Sequence, residues 1–257
     1  MTLQQQWVAL QTILNKEIHR FSRIWVQTLL PPVITMSLYF VIFGTLIGSR
    51  IGEMGGFSYM EFVVPGLIMM SVITNSYSNV VSSFYSAKFQ HSIEEILVSP
   101  TPNYIILIGY VLGGVARGLA VGFLVTLMSL LFTKLQVQNL AITVAIVFLT
   151  SVLFSLMGFI NAVFANSFDD ISIVPTFILT PLTYLGGVFY SISLLPEFWQ
   201  GVSLLNPILY MVNVFRYGIL GVTDIQVHYA FMGVMAFIVV LATISMYLLE
   251  SGKRLRS

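Results

Sequence analysis

The chain has 257 residues, of which 57% are hydrophobic and only 8% charged, with a formal net charge of +1; an average soluble domain carries about 25% charged residues. So few polar side chains cannot cover a water-facing surface, which excludes an ordinary soluble globule and points to an all-α membrane protein. The near-neutral charge argues against nucleic acid or another polyanionic partner, and the lack of cysteine excludes disulfides, thiolate metal sites and a cysteine nucleophile.

No polar, Pro-rich or Ser-rich linker divides the sequence, so residues 1–257 are read as one membrane domain. The first basic residue is Lys16, so no cleavable leader is expected. Leu3, Trp7, Leu10, Leu14, Ile18 and Phe21 recur at three- and four-residue spacing, predicting an amphipathic helix over residues 1–23. It either lies in the cytoplasmic membrane interface or docks as a soluble helix. A bilayer core is crossed by about 20 mainly apolar residues. Charge-free runs of that kind occupy residues 24–47, 62–81, 140–165, 171–190 and 229–249, and residues 104–133 add another, interrupted only by Arg117. Residues 198–215 are also charge-free but carry Gln200 and Asn206-Pro207. Proline removes a backbone donor and disfavours helix in the residue before it. That run is either a seventh span or a pair of short helices dipping into the outer leaflet.

Charge asymmetry separates the two topologies. Six spans with both termini inside place Lys16, Arg20, Arg23, Lys88, Lys253, Arg254 and Arg256 in the cytoplasm, and Arg50, Lys134 and Arg216 outside. Seven spans leave five basic residues on each side and no bias. The expected fold therefore has six transmembrane helices, the N-terminal interfacial helix, and a short re-entrant helix pair before the last span.

Between the second and third spans, Phe89, Ile93, Ile96 and Leu97 mark one face of a short helix, and Lys88, Gln90, His91, Glu94 and Glu95 the other. Ser99-Pro100-Thr101-Pro102 ends it. Such a helix docks either on the protein's own loops or on a separate cytoplasmic partner. Arg117 is the one charge inside a span, and no charge-free run supplies a carboxylate for it. Carbonyls, a water-filled path or an anionic ligand remain as partners, unless the side chain snorkels outward. Gly109, Gly113, Gly114, Gly118 and Gly122 form rows that suit close helix packing.

Signals for chemistry are absent. His19, His91 and His228 lie in different polar segments, and no His-Glu-x-x-His or Gly-x-Ser-x-Gly pattern occurs. The only Gly-Lys pair, Gly252-Lys253, is followed by arginine rather than the serine or threonine of a phosphate-binding loop. No catalytic, cofactor or metal site is expected.

Two stretches carry a family pattern. One is Glu94-Glu95-Ile96-Leu97-Val98-Ser99-Pro100. The other runs Leu185-Gly186-Gly187-Val188-Phe189-Tyr190, Leu195-Pro196, Leu205-Asn206-Pro207 and Arg216-Tyr217-Gly218-Ile219-Leu220-Gly221. In this order and spacing, over nearly the whole chain, the sequence resembles the type-2 ABC transporter permeases, the membrane subunits of bacterial exporters. The resemblance implies a homodimer in the inner membrane of a Gram-negative bacterium. It also implies two copies of a separate ATPase subunit that binds the ATP. On the same basis Lys88, Phe89, Ile93, Glu94, Glu95 and Leu97 belong to a coupling helix pressed into the ATPase, with Asp169 and Asp170 in a second, smaller contact. Spans one and five would line the translocation pathway, which brings in Pro31, Pro32, Pro175 and Pro181. Arg117 is a further pathway candidate, from its place in a span. The function expected is that of an exporter's permease subunit, not an enzyme. An ion-coupled secondary transporter is the alternative, and it would need membrane-embedded carboxylates or histidines that the spans lack.

Overall fold

The computed structural model describes residues 1–252; Lys253, Arg254 and Arg256, three of the basic residues counted on the inner side, lie outside the described residues, as does Ser257. The chain forms α1 (Leu3–Arg23), α2 (Trp25–Ile51), a small hairpin of β1 (Glu53–Met54) and β2 (Phe57–Ser58), α3 (Tyr59–Phe89) and α4 (Ser92–Val98). It continues through α5 (Asn103–Ser129), α6 (Leu140–Phe164), α7 (residues 170–184), α8 (Glu197–Leu204), α9 (Pro207–Leu220) and α10 (Val227–Ser251).

Among the described residues, α2, α5, α6 and α10 are long and apolar enough to cross a membrane. The other two expected spans take different forms. Residues 62–81 sit inside α3, whose Asn75, Ser76 and Asn79 are buried. A helix surrounded by protein has no need to be apolar on every side. Residues 171–190 are helical only as far as Tyr184, after which Gly187 adopts φ 69° and the chain turns. The Pro-interrupted run falls on two short helices, α8 and α9, with Pro207 at the start of the second.

Local sequence explains the ends and bends of these helices. Ser58 and Glu61 form a capping box at the start of α3, the Glu61 carboxylate accepting from the Ser58 amide at 3.0 Å. In α2 the α-helix is interrupted at Leu29, just before Pro31 and Pro32, and widens to a π-helical segment over Ile42–Ile47. A second π segment, Pro175–Leu179, lies in α7.

The core is built around α3, which packs against α5, α6 and α9. Phe84 of α3 meets Tyr110 of α5 and Phe159 of α6, at ring-centroid distances of 5.1 and 4.4 Å. The glycine rows on α5 make this closeness attainable. A Cβ at Gly113 would sit 2.6 Å from Cβ of Glu17, and one at Gly122 2.7 Å from a methyl of Val72. One row therefore receives α1 and the other α3, the close packing that small residues permit in membranes.

Helix α1 splits its apolar stripe. Phe21 is buried and Ile13 packs against the core, whereas Leu3, Trp7 and Ile18 remain exposed. Helix α2 likewise leaves Ile34, Leu38, Ile42 and Leu46 open, and α7 leaves Phe177 and Ile178.

Candidate functional site

The end of α3 carries the predicted coupling segment. Lys88 does not point away from the protein: its Nζ donates to the carbonyls of Val163 and Ala165, at 2.7 and 2.8 Å. These groups lie at the C-terminus of α6, where backbone carbonyls lack helical partners and a cation is favoured. Ile93 of α4 is fully buried and Leu97 half-buried, so the apolar face of α4 is turned onto its own chain. Glu94 is half-buried near His91, while Glu95 is exposed. The outward surface is made instead by Phe89, Gln90, His91, Glu95, Val98 and Pro100.

The second predicted contact adjoins this one. Phe168 packs on Tyr85 and Phe89, at ring distances of 4.9 and 5.2 Å. Asp169 is exposed beside it. Asp170 accepts from the Asn166 amide at 2.9 Å and the Ser167 hydroxyl at 2.8 Å. These donors, the Asn166 amide foremost, hold its carboxyl below the usual carboxylate range. Lys88, the aromatic trio and the turn after α6 thus join the two segments into one shelf.

Arg117 projects from α5 toward the proline break in α2. Its Nη2 donates to the Thr28 carbonyl at 3.2 Å and to Asn75 Oδ1 at 3.1 Å. In a regular helix the Thr28 carbonyl would accept from residue 32, but Pro32 has no N–H. The guanidinium therefore fills an acceptor that the proline leaves open. The same logic operates at Pro175, which cannot serve the Ile171 carbonyl; Asn161 Nδ2 donates there at 3.4 Å. Of the pathway candidates, Arg117 and Pro32 are brought together, Pro31 lies one residue away, and Pro175 and Pro181 belong to the separate break in α7.

Two groups escaped the sequence reading. Glu17 of α1 is fully buried, accepting from the Ser83 hydroxyl at 2.5 Å and pairing with Arg20 at 3.4 Å. Arg20 also donates to the carbonyl and side-chain oxygens of Asn79, both at 2.9 Å. The available signal was positional: Ile13, Glu17 and Arg20 share one face of α1 at four- and three-residue spacing. The second group is Arg216, counted from sequence as an outer-loop charge. It is 1% exposed, with Nη2 donating to the Gly187 carbonyl at 2.6 Å and Nε to that of Phe62 at 3.3 Å. Its guanidinium lies 3.9 Å from the centre of the Phe62 ring. Its position at the end of a charge-free run was the clue.

Buried cations meet backbone carbonyls, and among the described residues no group of His, Asp and Glu suited to a metal occurs.

Comparison with known proteins agrees with this picture. Residues 8–220 match the ABC-2 type transporter family. The chain is 63% identical over 251 residues to the inner membrane transport permease YadH of Escherichia coli (strain K12), covering 98% of each chain. It is 21% identical over 225 residues to Nodulation protein J of Neorhizobium galegae, covering 86% of this chain and 85% of that one. With most of its length matched, the chain belongs to the ABC-2 type transporter family, a family of membrane permeases rather than of enzymes.

Proposed function

We propose that this chain is the permease subunit of an ATP-driven exporter in a bacterial inner membrane, working as a homodimer with two copies of a separate ATPase. ATP is bound by the ATPase, and this chain supplies the pathway and the docking surface. Six membrane crossings put both termini in the cytoplasm: α3 and α7 act as the second and fifth, α1 lies in the interface, and α8 and α9 enter the outer leaflet without crossing. The exposed Leu3, Trp7 and Ile18 suit an interfacial α1. The open apolar faces of α2 and α7 suit contact with a second copy across the pathway.

The observation that carries the reading, beside the family match, is the shelf at the end of α3. It presents Phe89, Val98 and Phe168 at 60%, 80% and 49% exposure on a braced support. Exposed apolar side chains gathered on a rigid base suit a partner protein. Glu95 and Asp169 add acidic groups at the rim. The alternative of ion-coupled transport would have to use Glu17, but Ser83 and Arg20 already hold that carboxylate.

Co-expression with the cognate ATPase tests the proposal. Phe89→Asp combined with Val98→Asp is expected to leave the permease folded but to abolish ATPase co-purification and ATP-dependent export. Undiminished co-purification and export would overturn it. Ile93→Asp is a poorer probe, because a charge at that fully buried position opens the permease's own core.

A further inference from the structure

The end of α3 opposite the shelf bears a cavity of about 550 Å³, reached by Arg216, Asn213, Ser191, Ser193, Asp224 and Glu53. This volume lies within the roughly 300–1,000 Å³ range of small-molecule sites and exceeds the needs of a single inorganic anion. Its charges are layered. Arg216 is nearly inaccessible, whereas Asp224 and Glu53 are exposed. Among the described residues no carboxylate forms an ion pair with Arg216, and its Nη1 is buried without a hydrogen-bond partner. A buried cation with an unused donor favours an anionic acceptor. Asp224 is positioned by the Ser191 hydroxyl, at 2.9 and 3.0 Å to its two oxygens, and by the Ile192 amide at 3.3 Å, with its own amide donating to Asn213 at 3.1 Å. The Glu53 side chain stands at the rim on the β1–β2 hairpin.

A simple anion approaching Arg216 would pass two carboxylates, and a simple cation would meet Arg216 within. A group carrying phosphate at one end and an ammonium at the other satisfies both layers. We propose that this cavity binds a phosphoethanolamine group, its phosphate toward Arg216 and its ammonium between Asp224 and Glu53. The source is either a membrane lipid headgroup or a free phosphoethanolamine ester.

Native mass spectrometry of the purified full-length permease, without any ATPase, tests this separately from the exporter reading. With matched acyl chains, phosphatidylethanolamine is expected to bind about fivefold more tightly than phosphatidylglycerol, the scale of one partly exposed ion pair. Glu53→Gln, at an exposed position, should erase that preference without altering thermal unfolding. Arg216→Lys should weaken both lipids, since lysine lacks the planar fork. Displacement of the lipid by millimolar O-phosphoethanolamine would show that the headgroup alone suffices; selective binding that resists it would assign the site to the lipid. Equal binding of the two lipids, unchanged by Glu53→Gln, would overturn the proposal.

Discussion

Arg117 and Arg216 are the same side chain in two unlike settings. Arg117 interrupts an apolar span, which makes it conspicuous in the sequence, yet it remains partly accessible and spans the gap between α5 and α2. Arg216 looked like an ordinary flanking charge, yet it is closed in between α3 and the turn after α7. Hydropathy detects a charge that is unusual in its own segment. It does not detect a charge around which other segments close. What the two share is their partners. Each is held through backbone carbonyls, and Lys88 at the end of α6 and Arg20 beside Asn79 donate to backbone carbonyls as well. In a fold whose helices break at prolines and end in apolar surroundings, unpaired carbonyls are abundant, and cations are the natural donors to them.

The contrast predicts unequal costs. Arg216→Leu strands the Gly187 carbonyl in a fully buried place and removes the guanidinium from the Phe62 carbonyl and ring. At about 1–3 kcal/mol for each unsatisfied buried group, it should cause the larger loss, seen as low yield and a strongly reduced unfolding temperature in detergent. Arg117→Leu strands the Thr28 carbonyl and one oxygen of Asn75 in a more open place. It should cost less, about 1–3 kcal/mol in all, while impairing transport more than expression. A larger thermal effect at Arg117 than at Arg216 would break the comparison.

The proline account sharpens it further. In the Arg117→Leu background, Pro32→Ala restores an N–H opposite the Thr28 carbonyl and should recover part of the lost stability. In the parent protein the same change leaves the guanidinium competing for an occupied acceptor and should gain little. A double-mutant cycle on thermal unfolding reads this coupling directly; simple additivity would refute the link between the two residues.

The smallest expected effect lies on the shelf. The native Asp170 carboxyl titrates below its ordinary value because the Asn166 amide and Ser167 hydroxyl stabilise the charged form. Its contribution is therefore in place above the unfolded value near about pH 4 and is lost as pH falls toward the depressed native value. Asp170→Asn should raise protease cleavage between α6 and α7 slightly near neutrality, where the charged carboxylate is in place, and make it less dependent on pH in the acid range.

Several features of the molecule were legible from local pattern. The run at 24–47, broken by Pro31-Pro32, corresponds to the broken α2. Asn206-Pro207 marks the boundary between α8 and α9, because proline fixes its own backbone and constrains the residue before it. The glycine rows on α5 became its packing surfaces, since only residues without side chains let α1 and α3 approach so closely. The coupling segment was also visible as a two-faced helix, but its orientation was not. An amphipathic pattern states that one face seeks burial without stating against what, and Ile93 finds its burial within the chain itself.

By itself, then, the sequence determined an apolar helical chain, the places where its helices break and the motifs of its family, because these depend on residues near one another in the chain. Only the tertiary structure decided which polar groups are buried together. Glu17 meets Ser83 across 66 positions, Arg216 meets Phe62 across 154, and Arg117 meets the carbonyl freed by Pro32 across 89. Such partners are chosen by where helices cross, and a buried donor must find whatever acceptor that crossing brings within reach.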